Sequence, residues 1–147
     1  MRAIFRYWLW LLLALVVLQI AFAGFGAFDV AEKLGSEGVS VDEEGYDDSW
    51  GLHAGFGYLV MLAGLVTVIF ALVARVGRQR VLHSLGIFGL LILQMLLAWF
   101  GSEVPIIGAL HPLNAFLILG AVATLAMREQ RGDMVATAAA PQPPPAV

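Results

Sequence analysis

Cysteine is absent from this 147-residue chain, and charged residues make up only 13% of it. The missing cysteine excludes a disulfide framework, a thiolate nucleophile, an iron–sulfur cluster and thiol-ligated zinc. The low charge argues against a soluble domain, because hydrophobic residues reach 61% and so short a chain cannot bury that much apolar surface. The alternating pattern of a membrane β-barrel is also missing. The composition therefore predicts an integral membrane protein made of helices, which satisfy their own backbone in lipid.

Four apolar runs are long enough to cross a bilayer, since about 20 helical residues span a ~30 Å hydrocarbon core. We expect an all-α, antiparallel four-helix bundle in residues 1–131, with helices at about 8–28, 52–74, 82–100 and 110–127. Residues 132–147 are rich in Ala and Pro, which predicts a disordered tail.

Positive charge is confined to one side of this predicted topology. All seven arginines precede the first run, separate the second from the third, or follow the fourth: Arg2, Arg6, Arg75, Arg78, Arg80, Arg128 and Arg131. The other side carries nine acidic residues and one basic residue, Lys33, and hence a net charge of −8. The positive-inside rule then predicts a multi-pass protein of the cell membrane with both termini in the cytoplasm. A cleavable signal ending near Ala23 is the alternative for the N-terminus, but the length of the run favours a retained helix.

Polar and small residues recur at matching places in the two halves of the chain. Residues 19–26 read QIAFAGFG and residues 94–101 read QMLLAWFG, so Gln, Ala, Phe and Gly return at the same spacing. The second helix opens with LHAGFGYLVML and the fourth with LHPLNAFLILG. Two hairpins of the same orientation imply a pseudo-twofold axis along the membrane normal. Residues at matching positions are then expected to face each other across that axis.

By this pairing, His53 and His111 are predicted to be the axial ligands of one haem b. Two neutral imidazoles at one depth suit the two sides of a haem plane, and cofactors in helix bundles lie between facing helices. Gly57 and Ala115 follow the histidines by one turn. Such small residues would leave room for a flat macrocycle, or would simply permit close helix packing.

Other interpretations of the histidines stay open. Each could be an interfacial residue at the level of the lipid headgroups. The pair could also bind a divalent metal ion, with Glu103 or Asp48 as a further ligand. His83, at the cytoplasmic end of the third helix, has no counterpart in the repeat and is expected to be interfacial.

The glutamines Gln19 and Gln94 are scarce polar residues in an apolar setting. They lie about 10 Å below the glycines that end the repeated motif, which predicts that they lie deeper than the histidines. They could bond each other and close the floor of the site, or orient a histidine ring. They could instead join helices through bonds of about 0.6–2 kcal/mol. Asn114, one turn after His111, is a further polar candidate for the site.

The outer loop predicted at residues 29–51 is strongly acidic, with five carboxylates in residues 42–48. A solvated loop is the simple interpretation. The alternative is a docking surface for a basic partner, such as a soluble electron carrier or a membrane complex.

The motifs LQIAFAGFGAF, HAGFGYL, LQ (Leu93–Gln94) and LHPLNA resemble a family of small actinobacterial four-helix membrane proteins known as a domain of unknown function. This resemblance covers nearly the whole chain to Met127, and it implies the topology without an established activity. The layout is also similar to one half of haem A synthase, whose second and fourth helices carry histidines at their outer ends. That resemblance implies that His53 and His111 are ligands. The chain lacks that family's Glu, its cysteine pair and its Arg (Ala54 follows His53), so haem hydroxylation is not implied.

These features favour a b-type cytochrome-like protein that transfers one electron or holds haem near the outer face. The alternative is a non-catalytic membrane scaffold or accessory subunit without a cofactor. The sequence has no nucleophile–base pair, phosphate loop or paired buried carboxylates, so hydrolysis and phosphoryl transfer are not indicated. Nucleic-acid binding is disfavoured by the net charge of −3.

Overall fold

The computed structural model describes residues 1–35, 40 and 42–138, and among these residues it contains helices and no strand. In chain order the helices are α1 (Arg2–Gly35), α2 (Glu43–Val73), α3 (Arg78–Glu103), α4 (Pro105–Gly108) and α5 (Leu110–Ala138). The short α4 joins α3 to α5, and the other four are long and apolar enough to cross a membrane. The predicted all-α membrane bundle of two helical hairpins is confirmed.

The four long helices form a closed ring in which each packs against two neighbours. α1 packs against α2 and α5, and α3 packs against the same two helices. Within the described residues, the diagonal pairs, α1 with α3 and α2 with α5, make no close backbone contact. The predicted ligands His53 and His111 therefore lie on diagonally opposed helices.

The core is a narrow seam of residues spaced three or four apart on the inner face of each helix. Its members are Phe5, Leu9, Leu12 and Val16 of α1, Val60, Ala63, Thr67 and Ala71 of α2, Ser84, Ile87 and Leu91 of α3, and Asn114, Ile118, Val122 and Leu125 of α5. Equally apolar side chains, such as Leu11, Val17 and Leu72, are exposed on the outer faces. A helix that is apolar all round suits a surrounding of lipid. Polarity therefore does not select the inner face, and close packing between helices must do so.

Polar contacts join neighbouring helices on the arginine side of the bundle. Trp8 Nε1 donates to Thr67 Oγ1 at 2.9 Å and to the Ala63 carbonyl at 3.3 Å, which joins α1 to α2. Arg80 of α3 pairs with the buried carboxylate of Glu129 of α5. Interhelical hydrogen bonds in membranes contribute about 0.6–2 kcal/mol each, so these contacts fix helix register more than they supply stability.

The helices extend beyond the apolar runs, and the predicted loop at residues 29–51 was wrong for residues 29–35 and 43–51. α1 continues from Phe28 to Gly35, and α2 begins at Glu43 instead of Leu52. Asp42 caps α2 by accepting a hydrogen bond from the Gly45 backbone N–H at 2.9 Å. Acidic residues in a first turn also interact favourably with the helix dipole. The acidic sequence therefore starts a helix.

A polar cluster holds these helical extensions together at the acidic end of the bundle. Lys33 Nζ lies 2.9 Å from Asp29 Oδ2 and donates to Ser49 Oγ at 2.8 Å. Ser49 in turn donates to Asp29 Oδ2 at 2.6 Å and is almost fully buried. The cluster explains why α1 and α2 stay packed where their sequences are no longer apolar.

The other end of the chain also differs from the prediction. α5 continues past Met127 to Ala138, so residues 132–138 are helical, although the sequence placed them in the tail. The rest of the predicted tail, residues 139–147, lies outside the described residues.

Candidate functional site

The structure brings together the two histidines that occupy matching places in the repeat. The ring centres of His53 and His111 lie 6.1 Å apart, and the ring planes are inclined by 68°. Both side chains are half-buried, one on α2 and the other on α5. Two imidazoles from diagonal helices thus meet near the axis of the bundle.

Each imidazole is held by the same hydrogen bond. His53 Nδ1 lies 3.1 Å from the backbone carbonyl of Gln19, and His111 Nδ1 lies 3.1 Å from that of Gln94. A carbonyl only accepts hydrogen bonds, so each Nδ1 carries a proton, and in the neutral ring the lone pair is then on Nε2. Metal-binding histidines adopt this arrangement, in which the second ring nitrogen donates to a carbonyl or carboxylate.

The side chains of the two glutamines have different partners. Gln19 Nε2 donates to the His53 carbonyl at 2.9 Å and lies 3.5 Å from His53 Nε2. Gln94 Oε1 accepts from Asn114 Nδ2 at 2.7 Å, and Asn114 also donates to the Leu90 carbonyl at 2.9 Å. Each glutamine therefore bonds within its own hairpin, and neither of these contacts joins the two glutamines across the axis.

The histidine rings contact the glutamine carbonyls directly, and the greater depth of the glutamine side chains stays a prediction. The helix ends set the level of the histidines. Since α2 begins at Glu43, His53 lies about 15 Å below its first residue at 1.5 Å per residue. In the other hairpin, α4 turns back along the end of α3 before α5 begins. Both histidines therefore lie inside the bundle.

The glycines that end the repeated motif mark a close approach of two backbone segments in each hairpin. A Cβ at Gly26 would lie 2.8 Å from the Ser49 carbonyl oxygen, and a Cβ at Gly101 would lie 2.6 Å from Gly108 Cα. Either contact is too short for a real side chain. The glycine recurs, like the glutamine carbonyl, because each hairpin closes at the same point.

A cavity of about 450 Å³ opens beside the histidine pair. Its walls include both histidines, both glutamines, Gly57 and Ala115, and the remainder is mostly apolar. This size falls within the roughly 300–1,000 Å³ typical of ligand pockets. A Cβ at Gly57 would come within 3.1 Å of Gln19 Nε2, so glycine leaves room for that amide. Asn114 is buried behind Gln94 and supports the wall from outside.

Three buried polar atoms near the histidines lack a hydrogen-bond partner among the described residues: Gln19 Oε1, Trp50 Nε1 and Asn114 Oδ1. The Trp50 ring lies 5.8 Å from the His53 ring in an edge-on contact. An unpartnered buried group costs about 1–3 kcal/mol, and in a native protein it usually has an additional partner such as water or a ligand. The sequence did not reveal the contact of Trp50 with His53, because residue 50 was assigned to a loop and helical spacing was not applied there.

The alternative of a divalent metal site is not supported by the part of the chain that the structure describes. No group of three or more His, Asp or Glu residues in that part could hold a metal ion. Glu103 and Asp48 are both exposed and do not line the histidine cavity. His83 lies apart from the pair and lines a different cavity with Arg78 and Arg128.

Comparison with known proteins places the chain in a family. Neither a search of curated proteins nor a search of solved structures gave a match. The model of a family of unknown function, DUF6220, matches residues 19–102, which is more than half of the chain. The matched segment includes Gln19, His53 and Gln94 and ends before His111. The chain therefore belongs to DUF6220, as its resemblance to a small membrane family of unknown function predicted.

Proposed function

We propose that this protein is a membrane-bound, b-type cytochrome-like protein in which His53 and His111 hold one haem b. The matched imidazole pair carries the proposal, since each ring is fixed through Nδ1 and the ring centres lie 6.1 Å apart. Two metal–nitrogen bonds of about 2 Å, with about 1 Å from each nitrogen to its ring centre, require roughly 6 Å. The observed separation is thus compatible with both imidazoles on one metal ion.

The surroundings of the pair support the same ligand. The cavity of about 450 Å³ touches both histidines, and its walls are mostly apolar. Gly57 and Ala115 add little bulk to these walls. An apolar pocket with a few convergent polar groups is the usual setting for a cofactor. No third protein ligand would be needed, because a haem brings its own nitrogen ligands for the iron.

The propionates of a haem would meet few cations in this protein. Lys33 is the basic residue of the acidic end, and Asp29 and Ser49 already engage it. Trp50 Nε1 is buried without an acceptor in the described part of the chain, but Trp50 does not line the cavity. We expect the propionates to depend on water.

A haem held by His53 and His111 would supply one-electron transfer. The protein's part is to hold the rings, and the glutamine carbonyls fix their orientation. On α2, the Tyr46 and Trp50 rings, 6.2 Å apart, lie between the acidic end and His53. The exposed carboxylates beside them, Glu44, Asp47 and Asp48, are the proposed docking surface for a basic electron carrier.

The orientation in the cell membrane follows from charge. The arginine end is proposed to face the cytoplasm, with both termini there, since the positive-inside rule relates arginine in short connections to the cytoplasmic side. The acidic end, and with it the nearer side of the histidine pair, then faces outwards.

Visible absorption of the protein purified from haem-replete cells tests the proposal. Wild type should show a low-spin Soret band. His53→Ala and His111→Ala should each remove this low-spin spectrum, and His83→Ala, a histidine of the other cavity, should retain it. An alanine variant could also lose its fold, so His53→Met supplies a second test. Methionine in place of one histidine should keep the haem while changing the spectrum and raising the reduction potential.

The outcome that overturns the proposal is equally specific. A wild type without a Soret band, or two alanine variants with unchanged spectra, would exclude haem ligation by this pair. The function would then be that of a cofactor-free membrane scaffold. The contacts of Gln19 with His53 and of Gln94 with Asn114 support that rival, because they are also interhelical bonds.

A further inference from the structure

A second cavity, of about 480 Å³, lies at the arginine end of the bundle, remote from the histidine pair. Three guanidinium groups and one imidazole share its walls: Arg78, Arg80, Arg128 and His83. It forms where the turn between α2 and α3 meets α5. We infer that this cavity binds the phosphate group of an anionic ligand, with the headgroup of an anionic phospholipid as the source at this depth.

The charge balance of the cavity leaves two arginines available to a ligand. Arg80 is neutralised by Glu129, and its Nη1 also donates to the Val76 carbonyl at 3.1 Å. Within the described residues, neither Arg78 nor Arg128 makes an ion pair. Among the described residues, the cluster therefore keeps a net positive charge after Glu129 has neutralised Arg80. Arginine is suited to phosphate because its planar fork donates two parallel hydrogen bonds to one group.

The backbone adds to this positive potential. Gly77 has a φ of 98°, a left-handed value that favours glycine, and it occupies the N-cap of α3 without a side chain to cap the helix. The first N–H groups of a helix have no partner within it, and the positive end of the helix dipole lies there. Gly77, at the start of α3, thus lines the same cavity as Arg78 and Arg128.

The position of the cavity along the helices indicates the source of the phosphate. Arg128 directly follows the apolar run that ends at Met127, and Arg78 shortly precedes the run that begins at Leu82. These guanidinium groups therefore lie where hydrocarbon gives way to headgroups. Basic pockets between membrane helices on this side suit anionic headgroups. If the arginines only set the membrane topology, substituting an arginine that lines the cavity would change lipid binding no more than substituting one that does not.

Lipid titration of the full-length protein in detergent, followed by native mass spectrometry, tests the inference. Phosphatidylglycerol is the anionic probe, phosphatidylcholine the neutral comparison, and inorganic phosphate the competitor. Arg78→Gln and Arg128→Gln should each weaken phosphatidylglycerol binding about fivefold, the usual contribution of one arginine near an anionic membrane. Arg131→Gln is the matched control, since it removes the same charge at the same end but does not line the cavity.

The outcomes separate a site from diffuse charge. If millimolar inorganic phosphate displaces phosphatidylglycerol, the cavity is a phosphate site, and soluble phosphate replaces the lipid headgroup as its proposed ligand. Equal weakening by Arg131→Gln, or no weakening by the two cavity variants, would overturn the inference. Unchanged thermal unfolding of each variant checks that the fold is kept. The result does not depend on haem, because the residues of this cavity and those of the histidine cavity are different.

Discussion

Replacing Gly101 with alanine should destabilise the bundle by about 2 kcal/mol. The added Cβ would lie 2.6 Å from Gly108 Cα and 3.0 Å from its nitrogen, whereas ordinary contacts begin at 3.4 Å. The obstacle is backbone, so no side-chain rotation can relieve it. The turn at α4 must move away by nearly 1 Å. Overpacking of this kind typically costs about 1–3 kcal/mol.

The same displacement should affect the histidine site. Gly108 ends α4, and α5 begins two residues later at Leu110. His111 therefore follows Gly108 by only three residues. Moving α4 away from α3 therefore draws His111 from the Gln94 carbonyl, which it now contacts at 3.1 Å. We expect Gly101→Ala to loosen this anchor as well as to lower stability, while the His53–Gln19 contact in the other hairpin stays intact.

Reversible unfolding in mixed micelles, followed by circular dichroism, measures the effect. Gly26→Ala is the counterpart in the first hairpin, where the Cβ would lie 2.8 Å from the Ser49 carbonyl oxygen. Gly24→Ala is the control, since nothing lies within 4 Å of its Cβ, and it should be neutral or stabilise by up to ~1 kcal/mol. If Gly101→Ala unfolds like Gly24→Ala, the close approach of α3 and α4 does not exist and the explanation of the repeated glycine is wrong.

Two further predictions concern the buried amides and the topology. Asn114→Leu removes the donor to Gln94 Oε1 and should lower the free energy of unfolding by about 1–3 kcal/mol, because the glutamine oxygen is left buried without a partner. Chemical denaturation in micelles would measure this change. A loss of less than about 0.5 kcal/mol would contradict the prediction. A tag added after Val147 should be inaccessible to a membrane-impermeant label in intact cells and accessible after lysis. Labelling of the intact cells would reverse the proposed orientation.

The number of membrane helices was predictable because lipid makes a strong demand on sequence. A segment must be apolar for about 20 residues to cross a bilayer, and four segments met this condition. The helix ends were less predictable, because the same criterion says nothing about helix outside the membrane. Residues 42–45 nevertheless contained the signal for the start of α2, since Asp42 followed by two glutamates is a typical N-terminus with a capping aspartate.

For the site, the recurrence of Gln19 and His53 as Gln94 and His111 was enough to suggest which residues would be neighbours. It did not predict how they interact. The contact that fixes each ring uses a glutamine backbone carbonyl, and every residue has a carbonyl, so the side-chain pattern could not reveal it.

The difference between the two halves is informative about the choice between cofactor and scaffold. In the second hairpin, Asn114 supplies a donor to the oxygen of Gln94. In the first, the matching place is taken by Phe56, whose ring packs edge-on against Phe22 at 4.9 Å. Gln19 Oε1 is consequently buried without a donor in the described part of the chain, and Gln19 lines the histidine cavity. Asn114 Oδ1 is also buried without a partner there, so each half leaves one amide oxygen for a further donor. The two differ in place, because Gln19 lines the cavity, where water or a bound donor can reach its oxygen, and Asn114 does not.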